Sequence, residues 1–227
     1  MPFPGIGERA QEIRQRISDA VSRGGHAQSV RIVAVTKNHG PEAATAAWES
    51  GIHLVGENRV QEALEKMPLV SAPVSWHLIG HLQRNKVRHL DRFAMFHALD
   101  SERLAAAISE RAVEAGHRSQ VLVQVNVSGE STKGGFTLEE LAATAPRLAA
   151  LQGVAICGAM TMAPYEAAEG ELRGVFSRCR DARRILQEAG LGAHELSMGM
   201  SGDFEVAVEE GATMVRLGTI LFGARMP

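Results

Sequence analysis

Three groups of residues in this chain could do chemistry together. The first is Lys37, which ends the apolar run Arg31-Ile-Val-Ala-Val-Thr-Lys37. Strand alternation puts Val33, Val35 and Lys37 on one face and Ile32, Ala34 and Thr36 on the other. A strand apolar on both faces is covered on both sides, as in a parallel sheet wrapped by helices. A lysine at the carboxyl end of such a strand points its amine into the cavity above the sheet. There a partly desolvated amine loses basicity and can condense with an aldehyde or ketone. This segment alone fits a lysine snorkelling into solvent at least as well, so the case rests on the rest of the chain. The second group is Leu196-Ser-Met-Gly-Met-Ser-Gly-Asp203 together with Arg216-Leu-Gly-Thr-Ile220. Ser197, Ser201, the Gly218 and Thr219 amides, and Asp203 as an N-cap could cradle an anion. Turn chemistry favours the same residues. The third is Arg216 itself, which shares strand parity with Met214 and Gly218. If Met214 faces a core, the guanidinium does too, and a buried arginine needs acceptors.

The elements that must position these groups follow from periodicity. Residues 6 to 23 form an amphipathic helix, with Ile6, Ala10, Ile13, Ile17, Ala20 and Val21 near helical spacing and Gly24-Gly25 as its stop. Strands are predicted at 31–37, 52–56, 75–80, 94–99, 120–127, 154–160, 195–198 and 213–217. Helices at 41–50, 60–67, 85–90, 101–115, 138–151, 166–189 and 203–210 separate them, the fourth capped by Ser101. About eight strands alternating with helices argue for a parallel sheet. In 227 residues this fits a closed (β/α)8 TIM barrel at its lower size limit, with an extra N-terminal helix. An open doubly wound sheet is disfavoured, because its Gly-rich first turn is replaced by Lys-Asn-His-Gly. The expected organisation is one domain over 1–227, with 1–25 packed on the barrel.

Barrels bind phosphate in the loops after strands seven and eight, which is where the Ser/Gly segments fall. An inward arginine, an inward lysine and a phosphate cradle suit a flat, anionic ligand bearing a carbonyl. Pyridoxal 5'-phosphate (PLP) fits. Its aldehyde would meet Lys37 as an aldimine, its phosphate the Ser197/Ser201/Gly218/Thr219 region, and its ring nitrogen Arg216. An arginine cannot give up its proton, so the pyridine stays neutral and is a weak electron sink. Met160 and its neighbouring methionines could pad the ring, although methionine in a core needs no such role.

The motifs also resemble a known family. Ala34-Val-Thr-Lys37, Val55-Gly-Glu-Asn58, Val60-Gln-Glu62, Trp76-His-Leu-Ile-Gly-His-Leu-Gln-Arg-Asn-Lys86, Val123-Gln-Val-Asn-Val127, Lys133-Gly-Gly-Phe136, Gly158-Ala-Met-Thr-Met162, Leu196-Ser-Met-Gly-Met-Ser201, Met214-Val-Arg-Leu-Gly-Thr219 and Phe222-Gly-Ala-Arg225 are similar to stretches of the YggS/PROSC-type pyridoxal phosphate homeostasis proteins. Small departures are Thr36-Lys37-Asn38-His39, Lys133-Gly-Gly and Cys157-Gly-Ala-Met160. The resemblance implies a barrel like the cofactor domain of alanine racemase and a Schiff base at Lys37. It also implies Asn58 and His77 near the cofactor at the rim, and a role in binding PLP and supplying it to PLP-dependent apoenzymes.

Two other activities compete with a carrier. A PLP-dependent racemase needs a second base opposite the lysine, and the single tyrosine, Tyr165, has no context marking it as one. A cofactor-free Schiff-base aldolase needs an acid near the lysine, for which Glu57 could serve. His77 and His81 have the spacing of a metal pair on a helix, but they fall in a strand region, so no metal is expected. The net charge of -2 argues against nucleic acid despite the basic Arg84-Asn-Lys-Val-Arg88. No run is long and apolar enough for a membrane span, and residues 1–8 lack a signal peptide's regions. With two cysteines, Cys157 and Cys179, the expectation is a reduced cytoplasmic setting. The chain is expected to act as a monomer.

Overall fold

The structure is a computed structural model, and it describes residues 3–127 and 134–223. Lys133 and Arg225, singled out above, lie outside them. Helix α1 (Ile6–Gly24) buries Ile6, Ala10, Ile13, Ile17 and Ala20, as the spacing predicts. It ends where Gly25, at φ 69°, returns its N–H to the Val21 carbonyl, a conformation that glycine adopts without a Cβ penalty.

The strands are β1 (Arg31–Val35), β2 (Leu54–Glu57), β3 (Ser75–Leu78), β4 (Met95–Leu99), β5 (Ser119–Gln124), β6 (Val154–Met160), β7 (Glu195–Ser197) and β8 (Met214–Leu217). They pair in sequence order, all parallel, and β8 pairs with β1 to close the barrel. The crossovers are α2 (Glu42–Glu49), α3 (Val60–Lys66), a 3-10 stretch (Arg84–Arg92), α4 (Glu102–Glu114), α5 (Leu138–Ala149), α6 (Glu169–Glu188) and α7 (Phe204–Glu209). A short α8 (Thr219–Phe222) follows β8. The sequence did not announce it, because four residues carry no periodicity. Start signals were clearer: Ser101 accepts the Leu104 N–H as expected, and Thr137 and Glu140 form a capping box on α5, the reciprocal arrangement that satisfies two free helix-end donors.

Strand ends differ from the alternation pattern by up to three residues. β1 stops at Val35 rather than Lys37. The last ladder bond is Thr36 N–H to the Gly56 carbonyl at 3.1 Å, and the chain then turns, with His39 N–H on the Thr36 carbonyl at 3.1 Å. Likewise β3 stops at Leu78 and β5 at Gln124, beyond which Val125 forms one isolated bridge to Phe136.

The register shows which side chains fill the barrel. His97 of β4 reaches Ser197 of β7, two strands that are not neighbours, so both point inward. Ser197 is level with Met160 and Met214. Arg216 has the parity of Met214 and lies level with Val33. Met160, Ser197, Met214, Arg216 and Val33 therefore form the interior, all buried. Leu78, Phe96, Leu122, Leu148 and Phe176 lie in the same continuous buried core.

β6 and β7 approach closely at Gly158, where a Cβ would overlap the Glu195 carbonyl. Gly158→Ala is therefore expected to cost about 1–3 kcal/mol through overpacking. Gly174→Ala, in α6 with nothing near the new methyl, should instead gain up to about 1 kcal/mol from helix propensity. Urea denaturation of the two variants checks both signs.

Candidate functional site

The centre of the site is one guanidinium. Arg216 is 4% exposed. Its Nη1 donates to the Ser197 carbonyl and to Ser197 Oγ, both at 2.7 Å, and its Nη2 donates to the Thr161 carbonyl at 2.9 Å. Arginine has five N–H groups. Among the described residues, no acceptor takes the remaining two, one on Nη2 and one on Nε, and no carboxylate forms an ion pair with this side chain. Burial lowers its pKa to about 10, opposed by the field of Asp203. It nevertheless stays charged at neutral pH, so the interior carries a positive charge balanced only by neutral oxygens. An anion entering from the mouth is attracted to it.

Beneath the guanidinium runs a chain of polar side chains. His97 Nδ1 lies 2.9 Å from Ser197 Oγ, and His97 Nε2 lies 2.8 Å from His77 Nδ1. His77 is 3% exposed and His97 fully buried. Burial first, and then the positive charge of Arg31, pushes the His77 pKa down to about 4. Burial, His77 and Arg216 push His97 well below its ordinary value. Both rings are therefore neutral. The sequence had not singled out His97. The available signal was one histidine in the otherwise apolar strand Met95-Phe-His-Ala-Leu99, at the parity of Met95.

At the rim, the loops after β7 and β8 meet. Gly199 sits at φ 92°, where a Cβ would collide with Ala207 and Phe204, and its carbonyl accepts the Arg216 N–H at 3.0 Å. Ser201 Oγ accepts the Ile220 N–H at 3.4 Å, which ties the two loops together. Gly218 is half-buried and Thr219 exposed, leaving amides and a hydroxyl open at the mouth. Lys37, in the turn after β1, and Asn58, directly after β2, are half-buried.

The nine residues expected at the site thus divide into two levels. Lys37, Asn58, Ser201, Gly218 and Thr219 lie at the carboxyl ends of the strands. His77, expected at the rim, lies instead inside the barrel with Met160, Ser197 and Arg216. Three other sequence readings are corrected. Ser197 lies in a strand as expected, but instead of joining Ser201 in the anion cradle it is fully buried, faces inward and binds Arg216. Asp203 does occupy the N-cap position of α7, but its side chain makes no capping bond there: its Oδ1 instead accepts the Met200 N–H at 2.5 Å. Glu57, the acid an aldolase would have needed, is fully buried against Lys66 and Thr36 on the outer face of the strands. Tyr165 is 92% exposed. His81 pairs with Asp100 at 3.1 Å rather than with His77.

Residues 9–226 match the family model for the alanine racemase N-terminal domain. A pyridoxal phosphate homeostasis protein of Aquifex aeolicus is 40% identical over 222 residues, which covers 96% of this chain and 97% of that protein. The structure of PipY from Synechococcus elongatus PCC7942, solved with PLP bound, superposes with a TM-score of 0.85 at 37% identity, over 96% of this chain and all of that one. Alanine racemase from Corynebacterium glutamicum shares the fold, with a TM-score of 0.75 at 19% identity over 99% of this chain and 62% of that one.

The two buried histidines make stability depend on pH. The unfolded chain takes up protons near pH 6.5, whereas the folded His77 resists them until about 4. Below pH 6.5 the unfolded state therefore binds more protons, and stability is expected to fall as the pH drops toward 4. The slope should be at most about 1.4 kcal/mol per pH unit for each ring. Urea unfolding at pH 7 and pH 5 measures it, and a flat profile would contradict neutral buried rings.

Proposed function

Because this chain belongs to the alanine racemase N-terminal domain family and, within it, to the pyridoxal phosphate homeostasis proteins, we propose that it binds PLP through Lys37, holds it as a Schiff base, and delivers it to PLP-dependent apoenzymes. The observation that supports this most is Arg216, a buried guanidinium with two N–H groups uncommitted among the described residues and no carboxylate of its own. Such a group suits a ligand that brings both an acceptor and negative charge.

When bound, PLP supplies an aldehyde and an electron-accepting ring. The residues fit each part of it. Lys37 gives the amine: its nitrogen forms a bond to the aldehyde carbon, and the carbonyl oxygen leaves as water. Arg216 donates to the ring nitrogen and, as a donor without an exchangeable lone pair, keeps that nitrogen unprotonated. Ser201 and the Gly218 and Thr219 amides receive the phosphate, with the hydroxyls and N–H groups as donors. Met160 packs beneath the ring, Asn58 stands at the rim, and His77 with Ser197 supports Arg216 from below.

A holding role suits this constellation better than turnover. A neutral pyridine withdraws electrons weakly, and racemisation needs a second base poised at the substrate. Tyr165, at 92% exposure, offers no such fixed group. We take residues 1–227 as one PLP-binding barrel domain with 1–25 packed on it, acting in the cytoplasm as a monomer.

Lys37→Ala is expected to abolish the borohydride-trapped adduct while leaving non-covalent PLP affinity weakened by about 10- to 100-fold, which corresponds to roughly 1.4–2.8 kcal/mol. Mass spectrometry of the reduced protein and equilibrium dialysis provide the two readings. Complete loss of affinity would contradict the rim cradle. Rapid exchange of the alpha proton of amino acids by the wild-type protein would replace the carrier with an enzyme.

A further inference from the structure

A second lysine, buried on the opposite side of the sheet from the ligand cavity, holds the backbone around Lys37. Lys66, the last residue of α3, has a side chain only 9% exposed. Its ammonium has three hydrogens and three acceptors: the Thr36 carbonyl at 2.9 Å, Glu57 Oε1 at 2.8 Å and Glu62 Oε1 at 2.7 Å. Two of these groups continue into the reactive turn. Thr36 Oγ1 also donates to Glu57 Oε1, at 2.6 Å. Glu62 Oε1 also accepts the backbone N–H of Asn38, at 2.6 Å. The residue before Lys37 and the residue after it are therefore both fixed through one buried cation and its two carboxylates.

The turn leaves regular backbone at Asn38, whose φ of 62° lies in the left-handed region that asparagine tolerates better than most residues. The cluster also carries an internal cost, since Glu57 Oε2 is buried without a hydrogen-bond partner among the described residues. Burial pushes the Glu57 carboxyl up, against the pull of Lys66 and Thr36. Such clusters make poor stabilisers compared with apolar packing. This one spans a strand end, a helix end and a turn, so geometry is the more economical account of it.

We propose that Lys66, Glu57 and Glu62 are positioning residues for Lys37: they set the turn so that its amine reaches the aldehyde of PLP. The proposal rests on the covalent role of Lys37 given above. Condensation joins the Lys37 nitrogen to the aldehyde carbon and expels water, so it depends on where that nitrogen sits. Binding of the ring and phosphate does not. A displacement of about 1 Å at a reacting group can cost up to about 100-fold.

The test uses Glu62→Ala and Lys66→Met with two ligands. PLP can condense with Lys37. Pyridoxamine 5'-phosphate carries the same ring and phosphate but an amine in place of the aldehyde, and cannot. For Glu62→Ala the rate of adduct formation, followed by absorbance and borohydride trapping, is expected to fall by about 10- to 100-fold, with pyridoxamine 5'-phosphate affinity unchanged. Lys66→Met should show the same split, more strongly. Because that variant strands Glu57 and can fail to fold, Glu62→Ala, whose side chain is partly exposed, decides the matter. Equal weakening of both ligands, or an unchanged rate, overturns the clamp. A wild-type protein that forms no adduct at Lys37 overturns the covalent reading along with it.

Discussion

A guanidinium buried inside a barrel without a carboxylate is the constraint from which the rest of this structure follows. Its desolvation is tolerated only because two carbonyls and a hydroxyl are placed around it. Placing them requires β6, β7 and β8 to end at matched heights, and the barrel closure through β1 and β8 sets those heights. Unbalanced charge in a low-dielectric interior then makes the mouth attractive to anions. One side chain thus links the topology of the sheet to the kind of ligand the chain can hold.

The two faces of the strands divide the work. Inside, Arg216, Ser197, His97 and His77 make a polar column in an otherwise apolar core. Outside, Thr36, Glu57 and Lys66 make a second polar cluster where α3 packs on β1 and β2. Because side chains alternate across a strand, Glu57 and its neighbour Gly56 belong to different layers. A carboxylate next to the site in sequence is thereby separated from it in space. The loops that close the mouth are steadied from behind: Arg16 of α1 bonds Glu205 of α7 at 2.6 Å and stacks over Phe204, while Arg173 of α6 reaches Glu209.

Much of this was legible in the amino-acid sequence. The eight strands, their order and the buried stripe of α1 follow from alternation and helical spacing, and the inward direction of Arg216 follows from its parity with Met214. Lys37 and the glycine-rich loops fell where a barrel's chemistry belongs. What periodicity misses is local and non-periodic. It ran β1 on to Lys37, because a turn stabilised by the Thr36 carbonyl leaves no mark in an apolar pattern. It joined Ser197 to Ser201 in one anion cradle by nearness in sequence, although Ser197 is fully buried and bound to Arg216. His97 escaped because Ser197 lies 100 residues away. Lys66 forms an i,i+4 pair with Glu62 that the sequence does display, but its bond to the Thr36 carbonyl, 30 residues away, it does not.

The two rings beneath the guanidinium are locked to each other. Arginine can only give hydrogens, so Ser197 Oγ receives one from it and meets His97 Nδ1 with its own hydrogen or its second lone pair. Between two neutral imidazoles only one hydrogen can sit in the contact of His97 Nε2 with His77 Nδ1, so the tautomer of either ring dictates that of its neighbour. Protons added to both imidazoles would set donor against donor there, so the pair resists full protonation for a reason beyond burial.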